Sequence, residues 1–316
     1  MDGSINKKRV VVTGGAGFIG SHVVERLAER GYFITVIDNL VTGFDNVGLL
    51  QEKGVDLQVQ DISNYGNIER CFVGADSVIH LAAMNRAQRS IDNPLAANSA
   101  NTTGTINVLE ASRVNGVPRV INISSSSVYG FSEKFPRRET DECMPMHPYA
   151  VGKFAGELYT RLYHQLFDIQ TTTLRLFSVF GPRQNPKIRY AAVIPKFITN
   201  VLRDRPCEVF GDGSQKRSFS YVDDVVDGIL AALDNAPGRG EIYNISSPDE
   251  ISITELTTLI GELCDKTAKV IYSPALAGDQ EKNTVDVTKA KEELGFSTKH
   301  SLRKGLEKLV KHLSSQ

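Results

Sequence analysis

The sequence is poor in the features that mark secreted, membrane-bound or nucleic-acid-binding proteins. Its 316 residues include four cysteines and no tryptophan, and the net charge is only −1. Cys71, Cys143, Cys207 and Cys264 are far apart and form no C-x-x-C pair, which argues against a disulfide framework or zinc site and favours reduced thiols. The even charge balance gives no reason to expect nucleic acid as a partner.

Long hydrophobic runs are also missing. No stretch of about 18 apolar residues exists, and the chain reaches its first strand at Arg9 without the apolar segment of a signal peptide. We therefore expect a cytoplasmic protein with no membrane partner and no bound metal. Its length is enough for about two domains and for a full hydrophobic core.

A glycine-rich segment is the most specific motif present. The apolar run Arg9–Thr13 predicts a short buried strand, and Gly14-Gly-Ala-Gly-Phe-Ile-Gly20 follows it at once. Glycines at this spacing allow a tight turn and a close approach to a pyrophosphate at a helix N-terminus. A second strand pattern ends in Asp38, about 20 residues further on, where a carboxylate binds the adenosine ribose. The strand, glycines, helix and acid together predict NAD, in preference to NADP.

Strand and helix patterns alternate through the first part of the chain, and this alternation predicts a Rossmann-type doubly wound parallel sheet of the α/β class. After Phe180 the regular alternation stops. We expect residues 1–178, rejoined by about 213–240, to form the NAD-binding domain. Residues 179–212 and 241–316 are then expected to form a smaller, mixed α/β C-terminal domain that binds the substrate.

Ser125, Tyr149 and Lys153 are the candidate catalytic residues. Ser125 follows an apolar run, 117–123, that predicts a buried strand, whereas Tyr149 and Lys153 are four residues apart at the start of a predicted helix. The phenol of tyrosine has a pKa near 10, and lowering it to about 7 needs roughly 4 kcal/mol of preferential stabilisation of the phenolate. A neighbouring ammonium and an oxidised nicotinamide both act in that direction. The alternative is a buried tyrosine beside a solvated lysine.

Four other polar residues have two interpretations each. We expect His80, at the end of a strand pattern, to be a packed core histidine rather than a catalytic one. Asp223 and Asp224 suit the N-cap and first turn of a helix better than catalysis. Arg217, in a predicted loop between the two halves, is expected to clamp a diphosphate rather than to remain a surface charge. Met84–Arg89 is interpreted as a loop of unassigned role.

Many ordered motifs together resemble the extended short-chain dehydrogenase/reductases, specifically the NAD-dependent nucleotide-sugar epimerase/dehydratase family. They include Thr-Gly-Gly-Ala-Gly-Phe-Ile-Gly, His-Leu-Ala-Ala, Ser-Ser-Ser-Val-Tyr-Gly, Tyr-Ala-Val-Gly-Lys and Arg-Ser-Phe-Ser-Tyr-Val-Asp-Asp, and they cover nearly the whole chain. The resemblance implies a nucleotide-sugar site between two domains. It also implies a homodimer joined by the helices 94–115 and 148–167.

The resemblance further implies binding roles at individual positions. For the cofactor NAD these are Gly14, Gly17, Phe18, Ile19, Gly20, Asp38, Asn39, Gly43, Asp61, Ile62, Leu81, Ala82, Ala83, Asn98, Tyr149 and Lys153. For the nucleotide sugar they are Ser126, Ser127, Ser178, Val193, Arg217 and Asn283.

The residues after Ser125 narrow the expected reaction. Dehydratases of the family carry an Asp-Glu pair there, since eliminating water needs an added acid and base, and decarboxylating members carry a Glu. This chain has Ser126 and Ser127. The resemblance therefore implies a 4-epimerase, in which Tyr149 removes the 4-hydroxyl proton and hydride passes to and from a retained NAD.

The expected substrate is a UDP-sugar: UDP-GlcNAc/UDP-GalNAc, UDP-Glc/UDP-Gal, or both. Members that act on uronic acids carry an arginine where this chain has Asn185, and the position that gates the N-acetyl group corresponds to Asn283. Two family contacts to the diphosphate are missing, because a usual arginine is Leu276 and a usual asparagine is Ser178. Candidate replacement cations are Arg86, Arg89 and Lys282.

Three alternatives stay open at this point. The chain could be a UDP-glucuronate 4-epimerase, another nucleotide-sugar epimerase or a ketoreductase. Only a ketoreductase would consume a stoichiometric nicotinamide reductant. A different class of protein, a non-catalytic NAD-binding regulator, is disfavoured because Ser125, Tyr149 and Lys153 are all present.

Overall fold

A seven-stranded parallel sheet forms the centre of the molecule. The structure, a computed structural model, describes residues 8–131, 134–186, 191–275 and 284–315. The strands are β1 (Arg9–Thr13), β2 (Phe33–Asp38), β3 (Asp56–Val59), β4 (Ser77–His80), β5 (Arg119–Ser125), β6 (Gln170–Leu176), β7 (Val179–Phe180), β8 (Cys207–Phe210), β9 (Lys216–Ser218), β10 (Ser220–Tyr221), β11 (Arg239–Ile245), β12 (Glu250–Ser252) and β13 (Val270–Ser273).

Helices connect the strands. They are α1 (Phe18–Glu29), α2 (Val47–Glu52), α3 (Tyr65–Ile68), α4 (Ala87–Asp92), α5 (Pro94–Asn98), α6 (Gly104–Val114), α7 (Pro148–Phe167), α8 (Val193–Leu202), α9 (Val222–Asn235), α10 (Ile253–Leu263), α11 (Thr288–Leu294) and α12 (Leu302–Ser314). The helix expected over 94–115 is interrupted by a π-helical turn at Ser99–Thr103. The loop expected over Met84–Arg89 contains the start of α4, which has too few apolar residues for a recognisable period.

The order of the large sheet is β11-β6-β5-β4-β1-β2-β3, and all six pairings are parallel. The chain moves outward from β1 first through β2 and β3, and then through β4, β5 and β6. In such sheets a crevice opens at the carboxyl ends of the strands where the order reverses, here between β1 and β4. The predicted Rossmann-type α/β fold is confirmed.

Helices cover both faces of the sheet, as continuous apolar strands require. One face packs against α1 and α9, and the same core continues into α8, α10 and α12. The opposite face packs against α6 and α7, with Val108, Leu109 and Tyr163 in its core. In the described ranges, no helix combines the length and apolar character that a membrane crossing requires.

Three two-stranded sheets lie outside the central one: β7 with β10, β8 with β13, and β9 with β12. Strand β11 pairs with β6 and forms one edge of the central sheet. The central sheet therefore continues through Ile245, a few residues beyond the boundary expected near residue 240. The division of the chain into an NAD-binding and a substrate-binding domain remains a prediction.

Candidate active site

The glycine-rich turn lies at the carboxyl end of β1, directly against the end of β4. Gly14 has a φ of +73°, and a Cβ there would meet the backbone nitrogen of Ala82 at 2.7 Å. A Cβ on Gly20 would collide with the carbonyl oxygen of Gly14. Since side chains at these positions would block the turn, the glycines keep a backbone-lined cradle open, with α1 beginning at Phe18 behind it.

Asp38 ends β2 beside this cradle. Its carboxylate accepts hydrogen bonds from the backbone amides of Ala16 (3.0 Å) and Leu40 (2.8 Å). Burial raises the pKa of Asp38, and these amide bonds oppose the rise. The cradle and a nearby carboxylate are what NAD requires for its pyrophosphate and adenosine ribose, so the residues present fit this cofactor.

The remaining predicted cofactor residues occupy the same edge of the sheet, with one exception. Asn39 donates to the carboxylate of Asp61 (2.9 Å), while Leu81, Ala82 and Ala83 follow β4 directly. Gly17, Ile19, Gly43 and Ile62 lie in or beside the connections after β1, β2 and β3. Asn98, by contrast, is exposed on α5, and its cofactor role stays a prediction.

Asn101 is a buried asparagine whose side chain contacts the segment that follows β4. It is 1% exposed, and its side-chain amide accepts from the amide of Met84 (2.8 Å) and donates to the carbonyl of Met84 (3.1 Å). Sequence reasoning missed this residue. A possible signal was its place one helical turn after Asn98, on the buried face.

Ser125 ends β5 and caps the short helical turn that follows. Its hydroxyl accepts from the amide of Ser127 (3.2 Å) and donates to the Ser127 hydroxyl (3.1 Å). Ser126 and Ser127 are both half-buried. The structure therefore gathers three adjacent hydroxyls at the end of β5, and it places no carboxylate among these three positions.

Tyr149 and Lys153 lie in the first turns of α7, with Pro148 at its first position and His147 as the N-cap. Burial raises the pKa of Tyr149, while the Ser125 hydroxyl and the charge of Arg86 oppose that rise. Lys153 is 5% exposed, and its ammonium donates to the carbonyl of Ile123 (2.7 Å). Ser125 and the charge of Arg86 therefore both favour the phenolate form of Tyr149.

A buried ion pair between Glu157 and Arg175 lies one helical turn after Lys153. Glu157, one helical turn after Lys153, accepts two hydrogen bonds from Arg175 of β6 (3.0 and 2.7 Å). It also accepts one from Ser124 (2.5 Å). The side chains of Arg175 and Glu157 are 2% and 1% exposed. Burial lowers the pKa of Lys153 to about 8, and the charge of Glu157 opposes this fall.

Sequence reasoning missed this ion pair. Its signals were present, because Glu157 follows Lys153 at helical spacing and Arg175 interrupts an otherwise apolar and threonine-rich strand.

His80 behaves as a packed core residue. It is 1% exposed, its Nδ1 lies 2.7 Å from the Thr13 hydroxyl, and its Nε2 lies 3.0 Å from the Thr105 hydroxyl. Burial, with a contribution from the charge of Lys153, lowers its pKa to about 3. His80 is therefore neutral near pH 7 and joins β1 to α6 rather than taking part in proton transfer.

Ser178, Val193 and Arg217, three predicted substrate residues, line one pocket of about 220 Å³. Ser178 adopts a φ of +33° just after β6, and Val193 begins α8. Arg217 lies in β9, paired with Ile251, rather than in the expected loop, and its guanidinium donates to the carbonyl of Lys216 (2.7 Å). Asn283, Leu276 and Lys282 lie outside the described residues.

The acids expected at a helix N-terminus are in the first turn of α9. Asp224 is 1% exposed, and its carboxylate accepts from the backbone amides of Lys299 and His300, each at 3.1 Å. It also contacts His300 Nδ1 at 2.8 Å. Asp224 therefore fixes the segment before α12, a structural role that agrees with the non-catalytic interpretation.

Comparison with known proteins identifies close relatives of this site and fold. Residues 10–246 match the model of the NAD dependent epimerase/dehydratase family. The chain is 34% identical over 308 residues to the UDP-glucose 4-epimerase of Mycolicibacterium smegmatis, covering 96% of this chain and 97% of that protein.

Two solved structures have the same fold over nearly the whole chain. The UDP-N-acetylglucosamine 4-epimerase of Methanobrevibacter ruminantium, bound to UDP-N-acetylmuramic acid, superposes with a TM-score of 0.93 at 31% identity, covering 98% of this chain and 99% of that one. The UDP-glucuronic acid 4-epimerase of Bacillus cereus, bound to a fluorinated UDP-glucuronic acid and NAD, gives 0.91 at 30% identity, covering 97% and 99%.

Proposed function

The chain belongs to the NAD dependent epimerase/dehydratase family, and on this premise we propose that it inverts C4 of a UDP-sugar through a 4-keto intermediate. It is an enzyme of the epimerase type, and its cofactor is NAD. The proposed substrates are UDP-GlcNAc and UDP-GalNAc, UDP-Glc and UDP-Gal, or both pairs. The relatives that resemble it act on several different UDP-sugars, so the sugar itself is part of the proposal.

One observation carries this proposal: Ser125, Tyr149 and Lys153 converge at the carboxyl edge of the sheet, while Ser126 and Ser127 stand where acids would be needed for water elimination. A serine hydroxyl is too weakly acidic and basic to supply that chemistry. Proton removal from one hydroxyl and its return are the steps that the remaining groups can perform.

We assign the proton steps to this chain's own side chains. Ser125 holds the 4-hydroxyl oxygen, and Tyr149, as the phenolate, takes its proton and later returns it. Lys153, fixed by the carbonyl of Ile123, supplies a positive charge on the same face of α7. NAD, held by the Gly14–Gly20 turn and Asp38, would supply reversible hydride exchange with C4 on either face of the sugar, so no reductant would be consumed.

The pocket formed by Ser178, Val193 and Arg217 is the proposed nucleotide end of the substrate site. Arg217 would bind a diphosphate oxygen there, since a guanidinium makes charge-assisted bonds to phosphate. The predicted gating role of Asn283 remains part of this proposal.

We also propose that two copies pair through α7. Its outer face carries a stripe of exposed apolar side chains, formed by Val151, Leu158, Tyr159, Leu162 and Leu166, opposite the face that holds Lys153. Helices α5 and α6 lie beside it and expose Leu95 and Val114. An apolar stripe of this length favours a self-complementary helix interface.

Proton NMR of the purified protein with UDP-glucose, UDP-N-acetylglucosamine and UDP-glucuronate, in separate tubes without added reductant, tests the reaction. The galacto epimer should accumulate to equilibrium in at least one tube. A Tyr149→Phe protein should retain NAD and lose turnover by about 10²–10⁴-fold, whereas Tyr272→Phe, at an exposed tyrosine, should not. If all three sugars stay unchanged after NAD is supplied, the proposal fails.

A further inference from the structure

A short segment after β7 connects the proposed substrate pocket to the helix behind the cofactor cradle. It comprises residues 181–186. Ser178, shortly before it, lines the pocket together with Val193 and Arg217. The segment also contacts α1, the helix that begins directly after the glycine-rich turn. The 181–186 segment therefore lies between the elements that form the two sides of the candidate site.

Arg183 makes the main contact between this segment and α1. Its Nη2 donates to Glu25 Oε2 at 2.5 Å, and its Nη1 lies 3.5 Å from the Ser21 hydroxyl. The side chains of Arg183 and Glu25 are 23% and 28% exposed. Glu25 also lies 4.0 Å from the ammonium of Lys53, at the end of α2. Because the pair is largely shielded from water, its charge-assisted hydrogen bond constrains the segment more than a fully exposed ion pair would.

His22 makes a second contact between the segment and α1. Its Nε2 lies 3.0 Å from the carbonyl oxygen of Pro182. Since a carbonyl oxygen only accepts hydrogen bonds, Nε2 is the donor in this contact. His22 shares one face of α1 with Glu25 and with Phe18, the first residue of the helix, whose ring meets the imidazole edge-on at 6.0 Å. Two consecutive residues of the segment, Pro182 and Arg183, are thus bound to the first turns of α1.

The backbone of the segment has an unusual conformation at the point of contact. Arg183 has a φ of +66°, in the left-handed region that a residue with a Cβ rarely adopts unless its surroundings impose it. The next residue, Gln184, is 7% exposed, and its side-chain amide donates to the carbonyl of Val179 at 3.2 Å. The contacts with α1 on one side and with β7 on the other therefore fix a conformation that is otherwise unfavourable.

The proposed reaction needs such a connection between the two sides. Epimerisation requires the sugar ring to be aligned with the cofactor and with Tyr149 at the same time. In the proposed function the nucleotide end is bound in the pocket, whereas the cofactor would be held at the cradle. A misplacement of about 1 Å between reacting groups can lower the rate by about 10²-fold. The position of the pocket relative to the cradle therefore has to be set by contacts between the elements that form them.

We propose that Arg183 is a positioning residue that, through Glu25, sets the substrate pocket relative to the cofactor cradle. The inference rests on the proposed 4-epimerase function, because that function places the sugar between pocket and cradle. The guanidinium of Arg183 binds a carboxylate of α1, so it acts through the protein rather than on the substrate. Its loss should therefore reduce kcat by misaligning a bound substrate, with little change in the affinity for UDP or in the content of NAD.

A double-mutant cycle tests this inference. Initial rates with a UDP-sugar that the wild type converts, calorimetric titration with UDP, NAD content and thermal unfolding would be measured for Arg183→Met, Glu25→Met, their combination and Arg183→Lys. The matched control is the ion pair between Arg30 and Asp234, which joins the other end of α1 to α9 at 2.8 Å. Arg30→Met, Asp234→Asn and their combination would be measured in the same way.

We expect Arg183→Met and Glu25→Met each to lower kcat by about 10- to 100-fold. Both should keep full NAD content and a Kd for UDP within about threefold of the wild type. The double variant should be no slower than the slower single variant, because both changes break the same contact. Arg183→Lys should recover part of kcat, since it keeps the charge. The control variants should unfold at temperatures similar to that of Arg183→Met and keep kcat within about twofold of the wild type.

Several results would overturn the inference. A wild-type kcat in Arg183→Met, or an equal fall in the control variants, would show that this contact does not align the site. Losses that multiply in the double variant would show that Arg183 and Glu25 act independently. A large loss of UDP affinity in Arg183→Met, with normal turnover in Glu25→Met, would show that Arg183 binds the substrate itself. All of these leave the proposed function intact, whereas a wild type that converts no UDP-sugar would reject the proposed function and this inference with it.

Discussion

The cofactor side and the substrate side of the candidate site are built in different ways. The cofactor side consists of backbone turns at the ends of β1, β2 and β4, where Gly14 and Gly20 keep side chains out and Asp38 binds amides of the same turn. The proposed substrate side consists of side chains from separate elements, with Arg217 in β9 and Val193 in α8. A site lined by backbone depends on the absence of side chains at its glycines. A site lined by side chains depends on the contact that each of them makes.

The largest expected effect is therefore steric and falls on the cofactor side. Gly20→Val places a branched side chain against the carbonyl oxygen of Gly14, so the turn must open and the phosphate cradle is lost. We expect purified protein without bound NAD and without measurable epimerisation, checked by absorbance and enzymatic assay of released cofactor.

Gly48→Ala is the matched control for this variant. Gly48 lies in α2 with open space around its Cβ position, and alanine favours a helix, so cofactor content should not change. Full NAD content in Gly20→Val would break the comparison, because it would show that the cradle tolerates side chains.

A smaller effect is expected on the substrate side. Arg217→Gln removes one charge-assisted contact but leaves the pocket shape, so KM for UDP-glucose should rise about 10- to 100-fold while bound NAD stays at the wild-type level. Steady-state kinetics and a cofactor assay on the same preparation give both numbers. A loss of NAD together with the rise in KM would mean that the two sides are not separable.

The same difference explains how much the sequence predicts. The turn after β1, Asp38, Ser125 and the Tyr149–Lys153 pair were predictable, because each depends on spacing within one strand or helix. The parallel strands β1 to β6 were predictable from the alternation of patterns, since buried strands are continuous apolar runs. Strand β11 was not, because it follows the point at Phe180 where the alternation stops.

Contacts between distant elements were not predictable in this way. Glu157 and Arg175 lie on different elements, and their pairing requires α7 to be packed on β6. Arg86 was interpreted as part of a loop, because neither its left-handed backbone nor the burial of its Nε leaves a periodic signal. Arg217 was placed in a loop because β9 has only three residues.

A third prediction concerns the buried ion pair between Glu157 and Arg175, one helical turn after Lys153. Burial lowers the pKa of Lys153 to about 8, and the charge of Glu157 opposes that fall. Glu157→Gln removes the opposing charge, so the pKa of Lys153 should fall further and the protonated form should be lost at lower pH. The alkaline limb of kcat/KM, measured between about pH 6 and 10, should therefore move toward lower pH. At the pH of the wild-type midpoint, kcat/KM of the variant should be several-fold lower than that of the wild type.

Folding and charge can be separated for this variant. Glu157→Gln leaves Arg175 buried without a counter-charge, which costs about 3–5 kcal/mol of stability. The double variant Glu157→Gln/Arg175→Met should recover most of that stability and keep the shifted limb. Ser124→Ala keeps the carboxylate, so its profile should remain close to the wild type. An unshifted profile in the double variant would leave Glu157 with a purely structural role.

The smallest effect on turnover is expected at the outer face of α7, remote from both sides of the site. Leu162 is 40% exposed in the centre of the apolar stripe, and Leu162→Glu places a charge in the proposed helix interface while preserving helix propensity. For Leu162→Glu, size-exclusion chromatography with light scattering should show a monomer in place of a dimer. Val73→Glu, at a more exposed apolar position (56%) outside the stripe, should leave the mass unchanged. Because Leu162 is on the face opposite Lys153, kcat should stay within about twofold provided the monomer remains folded. A large fall in kcat with an intact fold would instead show that the partner subunit supports the position of Tyr149, and the active site would then have a third side, contributed by the interface.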